Sequence, residues 1–186
     1  MPEEQRESFF TELLKFILVA AAIVIPVRLY IAQPFIVSGA SMEPSFEDGE
    51  YLIVDELSYR FEEPQRGDVV IFRYPRNPSE FFIKRIVGLP GETVHIAGDE
   101  VSIKQKNGEV ARLEEGYVKS RGNGGISTVT LGAGEYFVMG DNRPASSDSR
   151  VWGALPRENI TGRAFLRLFP LQHFDIFPGA ADMEQP

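Results

Sequence analysis

Ser41 and Lys84 are the residues of this sequence whose types and settings point to chemistry. Ser41 stands in Ser38-Gly39-Ala40-Ser41-Met42-Glu43-Pro44, just after an apolar N-terminal segment. Lys84 stands in Phe81-Phe82-Ile83-Lys84-Arg85-Ile86-Val87-Gly88-Leu89-Pro90-Gly91, a strand pattern running into a turn. A serine hydroxyl is a poor nucleophile until a base takes its proton. Lysine can be that base only as the neutral amine, so its pKa must fall from ~10.4 toward the operating pH. Burial among apolar groups does this by penalising the ammonium. If residues 81–87 form a strand, Phe82, Lys84 and Ile86 share one face, the apolar setting such a lysine needs. Each residue also has a plainer reading. Lys84 can be an edge-strand lysine that snorkels and discourages aggregation. Ser41 can be an ordinary loop or helix-cap serine.

A third cluster is Gly140-Asp141-Asn142-Arg143-Pro144-Ala145-Ser146-Ser147-Asp148-Ser149-Arg150, dense in hydroxyls and alternating charges, and it follows an apolar strand pattern. It reads either as a solvated turn or as a loop in which a serine hydroxyl orients a base and Asp–Arg pairs keep it rigid.

Composition removes the competing chemistries. There is no cysteine, which excludes a thiol nucleophile, a disulfide framework and a thiolate metal site. His95, in the alternating run Thr93-Val94-His95-Ile96, and His173 are the only histidines. Neither has a metal-ligand partner at motif spacing, so no metal and no cofactor is predicted. A net charge of −8 argues against nucleic acid as a partner.

These residues need a scaffold. Residues 13–32 are mostly apolar and match the ~20 needed to cross a bilayer, with Lys15 and Arg28 flanking an uninterrupted core over 16–27. The stretch Pro2-Glu3-Glu4-Gln5-Arg6-Glu7 is not the basic start of a cleaved signal peptide. The segment therefore reads as an uncleaved anchor. Arg6 and Lys15 precede its centre and no Lys or Arg follows Arg28 until Arg60, which places the N-terminus on the cytoplasmic side. From Phe35 onward, β-branched and aromatic runs alternate with Gly and Pro turns, Pro75 and Pro78 among them. This predicts a mainly β, antiparallel catalytic core. Residues 104–131 are polar and Gly-rich and read as a small cap or flap without recognisable chemistry. The expected organisation is a short cytoplasmic stretch 1–12, an anchor 13–32, a β-rich domain 33–175 and a tail 176–186.

The three clusters, in this order and wording, resemble the bacterial type I signal peptidases, serine–lysine proteases that remove signal peptides from exported proteins. The resemblance is carried by Ser41-Met42-x-Pro44, Arg66-Gly67-Asp68-Val69-Val70, Lys84 through Gly91, and Gly140-Asp141-Asn142-Arg143 through Ser149-Arg150, and extends to about Pro170. It implies Ser41 as nucleophile, Lys84 as general base and Ser146 as the hydroxyl that orients the lysine. It implies Asp141, Arg143, Asp148 and Arg150 as structural support of that loop. Phe35, Val37, Met42, Phe82 and Ile83 fall at positions resembling the substrate cleft and its two shallow pockets. Signal-peptide-bearing precursors are the implied substrates. Membrane lipid is the implied surround, and the protein export channel an implied neighbour. The implied location is the bacterial plasma membrane, with the catalytic domain on its outer side. Two departures stand out. Some members carry a serine two residues before the nucleophile, whose hydroxyl helps form the oxyanion hole; here that position is Gly39, so backbone N–H groups, above all that of Ser41, must form it. Ser45 stands where threonine is common. Two other classes stay open on the residues alone: a self-cleaving repressor-type Ser–Lys peptidase, and a non-enzymatic membrane-tethered β module.

Overall fold

The computed structural model describes residues 9–30, 32–120, 122 and 125–181. Arg6, Arg121, Gly124 and the end of the expected tail lie outside that set, as does the side chain of Arg28. In chain order the elements are α1 (Phe9–Tyr30), β1 (Ala32–Ile36), β2 (Tyr51–Asp55), β3 (Val69–Tyr74), β4 (Asn77–Gly88), β5 (Thr93–Ala97), β6 (Glu100–Lys104), β7 (Val110–Arg112), β8 (Ile126–Thr130), β9 (Glu135–Met139), α2 (Ser149–Trp152), β10 (Leu155–Pro156), β11 (Ile160–Phe169) and β12 (Asp175–Ile176).

The described residues form two antiparallel sheets. The larger runs β1-β2-β11-β3-β4-β9-β10, with β12 added to β11; the smaller runs β7-β6-β5-β8. The smaller sheet begins at Thr93, before the stretch 104–131 read as a cap. Its register explains why: Thr93-Val94-His95-Ile96 pairs residue for residue with residues 101–104 and 127–130. Val87, Phe137 and Met139 of the larger sheet share one buried cluster with Val94, Ile96, Val101 and Ile103 of the smaller, so apolar burial joins the two.

Strand β4 is the element that matters most for function. Its first half is exposed and its second half, from Lys84 onward, is buried. Pro78 does not end it, contrary to its reading as punctuation. The β3–β4 register skips from Tyr74↔Asn77 to Arg73↔Phe81, so Pro78 sits in a bulge where no ladder N–H is required. Only Arg85 to Gly88 pair with β9, which leaves the other edge of β4 before Arg85 without a strand partner among the described residues.

Helix α1 overlaps the expected anchor over 13–30, while Ala32, the last residue of that anchor, instead opens β1. The large described apolar side chains of α1 are exposed: Phe16 is 71% and Val19 61% accessible. Among the described residues, no helix is long and apolar enough to cross a membrane.

Candidate active site

The nucleophile loop is residues 37–50, which join β1 to β2. Its stem is closed by Val37 N–H to Glu50 O and Gly49 N–H to Val37 O, both 2.9 Å. Its interior is pinned by Val37, Met42 and Phe46, buried with Leu52, Val54 and Ile71. Met42 is fully buried and Ser41 only partly, so the chain turns Met42 into the core and Ser41 to the surface. Met42 is therefore a core anchor of the loop. The cleft of about 450 Å³ beside Ser41 is lined by Phe35, Val37, Phe82 and Ile83, with Leu52 and Ile71 also contributing, and does not include Met42. Phe35 meets Phe81 edge to face at 5.2 Å.

Lys84 approaches from β4. Its Nζ lies 2.7 Å from Ser41 Oγ. It donates to Ile83 O at 2.7 Å and sits 5.5 Å from the centre of the Phe82 ring. The residue is 4% exposed. Burial lowers its pKa to about 8, against the opposing pull of the Asp148 and Asp141 charges. The neutral amine at this distance can accept the serine proton, and the lowered pKa makes that form accessible near neutral pH. The pH dependence follows with its sign. Rates should rise as pH passes upward through about 8, where the ammonium gives way to the amine, and roughly a tenth of the lysine is neutral one unit below. The check is kcat/KM on a peptide substrate from pH 6 to 10; a rate independent of pH over that span would remove a titrating base.

The loop after β9 braces the nucleophile loop. Asn142 donates its N–H to Ser41 O at 3.1 Å and its side-chain amide to Ala40 O at 3.0 Å. Gly140 has to be glycine, because a Cβ there would overlap Ser146 Oγ and Ser41 O. Asp148 gathers the loop: it accepts from Ser146 Oγ at 2.7 Å, Gly140 N–H at 3.0 Å and Arg150 Nε at 2.8 Å. Burial alone would push its carboxyl up, but the Arg150 hydrogen bonds and charge, with Ser146 and Gly140, hold it below the usual range. The Ser146 hydroxyl thus donates to Asp148 and, among the described residues, has no hydrogen bond to Lys84; an ionised carboxylate is a stronger acceptor than an amine.

Asp141 and Arg143 support the loop through partners that sequence reading assigned no role. Asp141 takes two hydrogen bonds from Arg85, at 2.9 and 2.6 Å. Arg143 grips Glu115 at 3.0 and 2.5 Å. Glu115 comes from the stretch read as chemically silent, and so does Tyr117, whose ring lies 4.1 Å from the Arg85 guanidinium. Arg85 was legible as the residue after Lys84; nothing local marked Glu115. The Ser41 N–H donates to no acceptor among the described residues, while Gly39 holds φ at +84° and donates its N–H to Asp48 Oδ1 at 2.7 Å. A serine at position 39 would be strained in that conformation.

Nearly all of these groups sit within residues 10–169, the span that matches the family model for "Signal peptidase, peptidase S26". The chain belongs to that family. A signal peptidase I from Leptolyngbya laminosa is 38% identical over 91% of this chain and 84% of its own length. A protein named as a probable signal peptidase I-1 from Synechocystis sp. is 36% identical over 87% of this chain and 84% of its own. A crystal structure of a signal peptidase I from Enterococcus faecalis V583 is 35% identical, covering 55% of this chain and 97% of that one, with a TM-score of 0.47. Membership in peptidase S26 makes this a serine endopeptidase and sets aside the non-enzymatic β module.

Proposed function

We propose that the enzyme removes signal peptides from exported precursors, with Ser41 as nucleophile and Lys84 as general base. The observation that carries this reading is the 2.7 Å approach of a buried lysine amine to Ser41 Oγ at the edge of an apolar cleft. Neutral Lys84 takes the Ser41 proton as Oγ bonds to the scissile carbonyl carbon. The oxyanion that forms is met by backbone N–H groups, that of Ser41 first. Lys84 then gives the proton to the departing amine nitrogen, the C–N bond breaks, and an acyl-enzyme ester remains. Water enters, loses a proton to Lys84 and attacks the ester; the proton returns to Ser41 Oγ as the signal peptide leaves with a free carboxyl group. Ser146 and Asp148 act on Lys84 at one remove: Asp148 supplies charge and, with Ser146, sets the loop against it. Purified enzyme in detergent should release a mature N-terminus from a precursor at one bond, read by N-terminal sequencing; no cleavage, or cleavage scattered along the chain, counts against the proposal.

The open edge of β4 beside Ser41 supports binding of the substrate as an added extended strand, in which alternate side chains face the enzyme. The apolar cleft lined by Phe35, Val37, Phe82 and Ile83 would receive the side chains one and three positions before the cut, and its size favours small ones. A precursor with Phe or Lys immediately before the cut should be processed at least a hundredfold more slowly than one with Ala, on the order of what a clash or a buried unpaired charge costs in a small apolar pocket. Equal kcat/KM values would refute the assignment.

We further infer, from the sequence run rather than from the length and apolarity of α1, that segment 13–32 anchors the enzyme in the plasma membrane with the catalytic domain outside, which makes lipid, and by proximity the export channel, its surroundings. Support comes from the apolar run over 13–32 and from exposed α1 side chains such as Phe16 and Leu18, which need an apolar environment. Deleting residues 1–32 should leave cleavage of a soluble peptide within a few-fold. It should slow cleavage of membrane-embedded precursor at least tenfold, because tethering both to one bilayer raises their effective concentration. Unchanged rates on the embedded precursor in liposomes would refute the anchor.

A further inference from the structure

The family match ends at residue 169, but the ordered contacts continue. After β11 the chain folds back over the sheet that carries the site. Strand β12 pairs Ile176 with Leu166 and Asp175 with Arg167. The Phe177 N–H donates to Phe165 O at 2.7 Å, and the two rings meet edge to face at 5.2 Å. His173 lies 3.4 Å from the buried Glu50. These contacts deliver the carbonyl of Gly179 to Arg85, whose Nη1 donates to it at 2.5 Å.

Arg85 is fully buried, and its five N–H groups have five acceptors. Two are Asp141 oxygens, at 2.9 and 2.6 Å. The others are Gly67 O at 2.9 Å, Ser45 Oγ at 3.4 Å and Gly179 O. One neighbour of this guanidinium is Lys84, by the peptide bond. The other is Asp141, which leads into Asn142 and so to the carbonyls of Ala40 and Ser41. A single side chain therefore ties together the two strands of covalent structure that hold the nucleophile and the base. The seat of Gly179 is cut for glycine: φ is +70°, and a Cβ would meet Phe46 Cε2 at 2.7 Å.

We propose that residues 170–181 are a C-terminal latch on the catalytic centre, with Gly179 a positioning residue that completes the hydrogen bonding of Arg85 and so keeps Ser41 and Lys84 in reacting distance. Removing its carbonyl leaves a buried charged donor unpaired, and the guanidinium must then shift or admit water. Either change loosens Asp141 and, through Asn142, the loop of Ser41. Small misplacements of reacting groups cost rate rather than affinity. The groups that face Lys84 are Ser41 Oγ, Ile83 O, the Phe82 ring and the charges of Asp148 and Asp141. An Asp141 less neutralised by Arg85 favours the ammonium more, and so does entering water. Both move the acid limb of the pH profile to higher pH, a change that mere loss of stability does not produce.

The inference rests on the Ser41–Lys84 reading, so Ser41→Ala is assayed beside the latch variants. Two variants in detergent carry the test: a truncation ending at Phe174, and the full-length Gly179→Ala enzyme. Each is compared with wild type for kcat, KM and the acid limb on one precursor peptide, with melting temperature measured in parallel. The expected result is a fall in kcat of about tenfold or more, KM within about twofold, and an acid limb displaced to higher pH. Wild-type kcat and limb in the folded truncation overturn the latch while leaving the dyad standing. If the truncation does not fold, the same outcome in Gly179→Ala overturns it. A Ser41→Ala enzyme that still cleaves overturns the dyad, and the latch with it.

Discussion

Lys84→Arg should be as inactive as Lys84→Met, both down by on the order of a thousandfold or more in kcat. The pair of variants separates charge from basicity. Arginine keeps a cation beside Asp148 and Asp141 and fills similar volume, so the local electrostatics survive. It cannot give up its proton at any working pH, so it cannot accept one from Ser41. Methionine removes the charge and keeps the apolar packing against Phe82. If Lys84 acted only by neutralising the two nearby carboxylates, arginine would rescue and methionine would not. Single-turnover cleavage of a precursor peptide decides between these, and an Arg variant within tenfold of wild type would remove the lysine from the proton path.

Ser41→Ala should lose at least a thousandfold in kcat and keep its fold. The expectation of an intact fold comes from burial. Met42, next in the chain, is wholly buried and shares the core with Val37 and Phe46, whereas Ser41 is only partly buried and faces the cleft. Losing one hydroxyl there removes the nucleophile and almost no packing. The measurement is precursor cleavage alongside a thermal melt: an inactive variant that melts like wild type is expected. Residual activity well above a thousandth would point to a second nucleophile, with Ser147, which also lines the cleft, the first to examine.

What was legible in the sequence is what local pattern encodes. Strand alternation put Phe82, Lys84 and Ile86 on one face, and the β-branched runs announced an antiparallel β core. Gly140-Asp141 through Arg150 reads from sequence as either a solvated turn or a braced loop; the bracing that forms joins Asp148 and Arg150, two residues apart. The rest was hidden by distance along the chain. Arg85 and Asp141 are 56 residues apart, Arg143 and Glu115 are 28, and Arg85 and Gly179 are 94. No periodicity links such pairs, and a polar, Gly-rich stretch containing Glu115 looks like any solvated flap. Met42 lies in the core rather than the cleft for a different reason. Proximity in sequence to a nucleophile says nothing about direction, and in the loop 37–50 adjacent side chains are sent to opposite sides.

Proton transfer from Ser41 requires Lys84 to reach its neutral form near working pH. NMR titration of its side-chain amine in the intact, folded enzyme tests it most directly, with the resonance assigned by its loss in Lys84→Met. The expected midpoint lies near 8, set by burial. A midpoint at ~10.4, that of a solvent-exposed lysine, would contradict it.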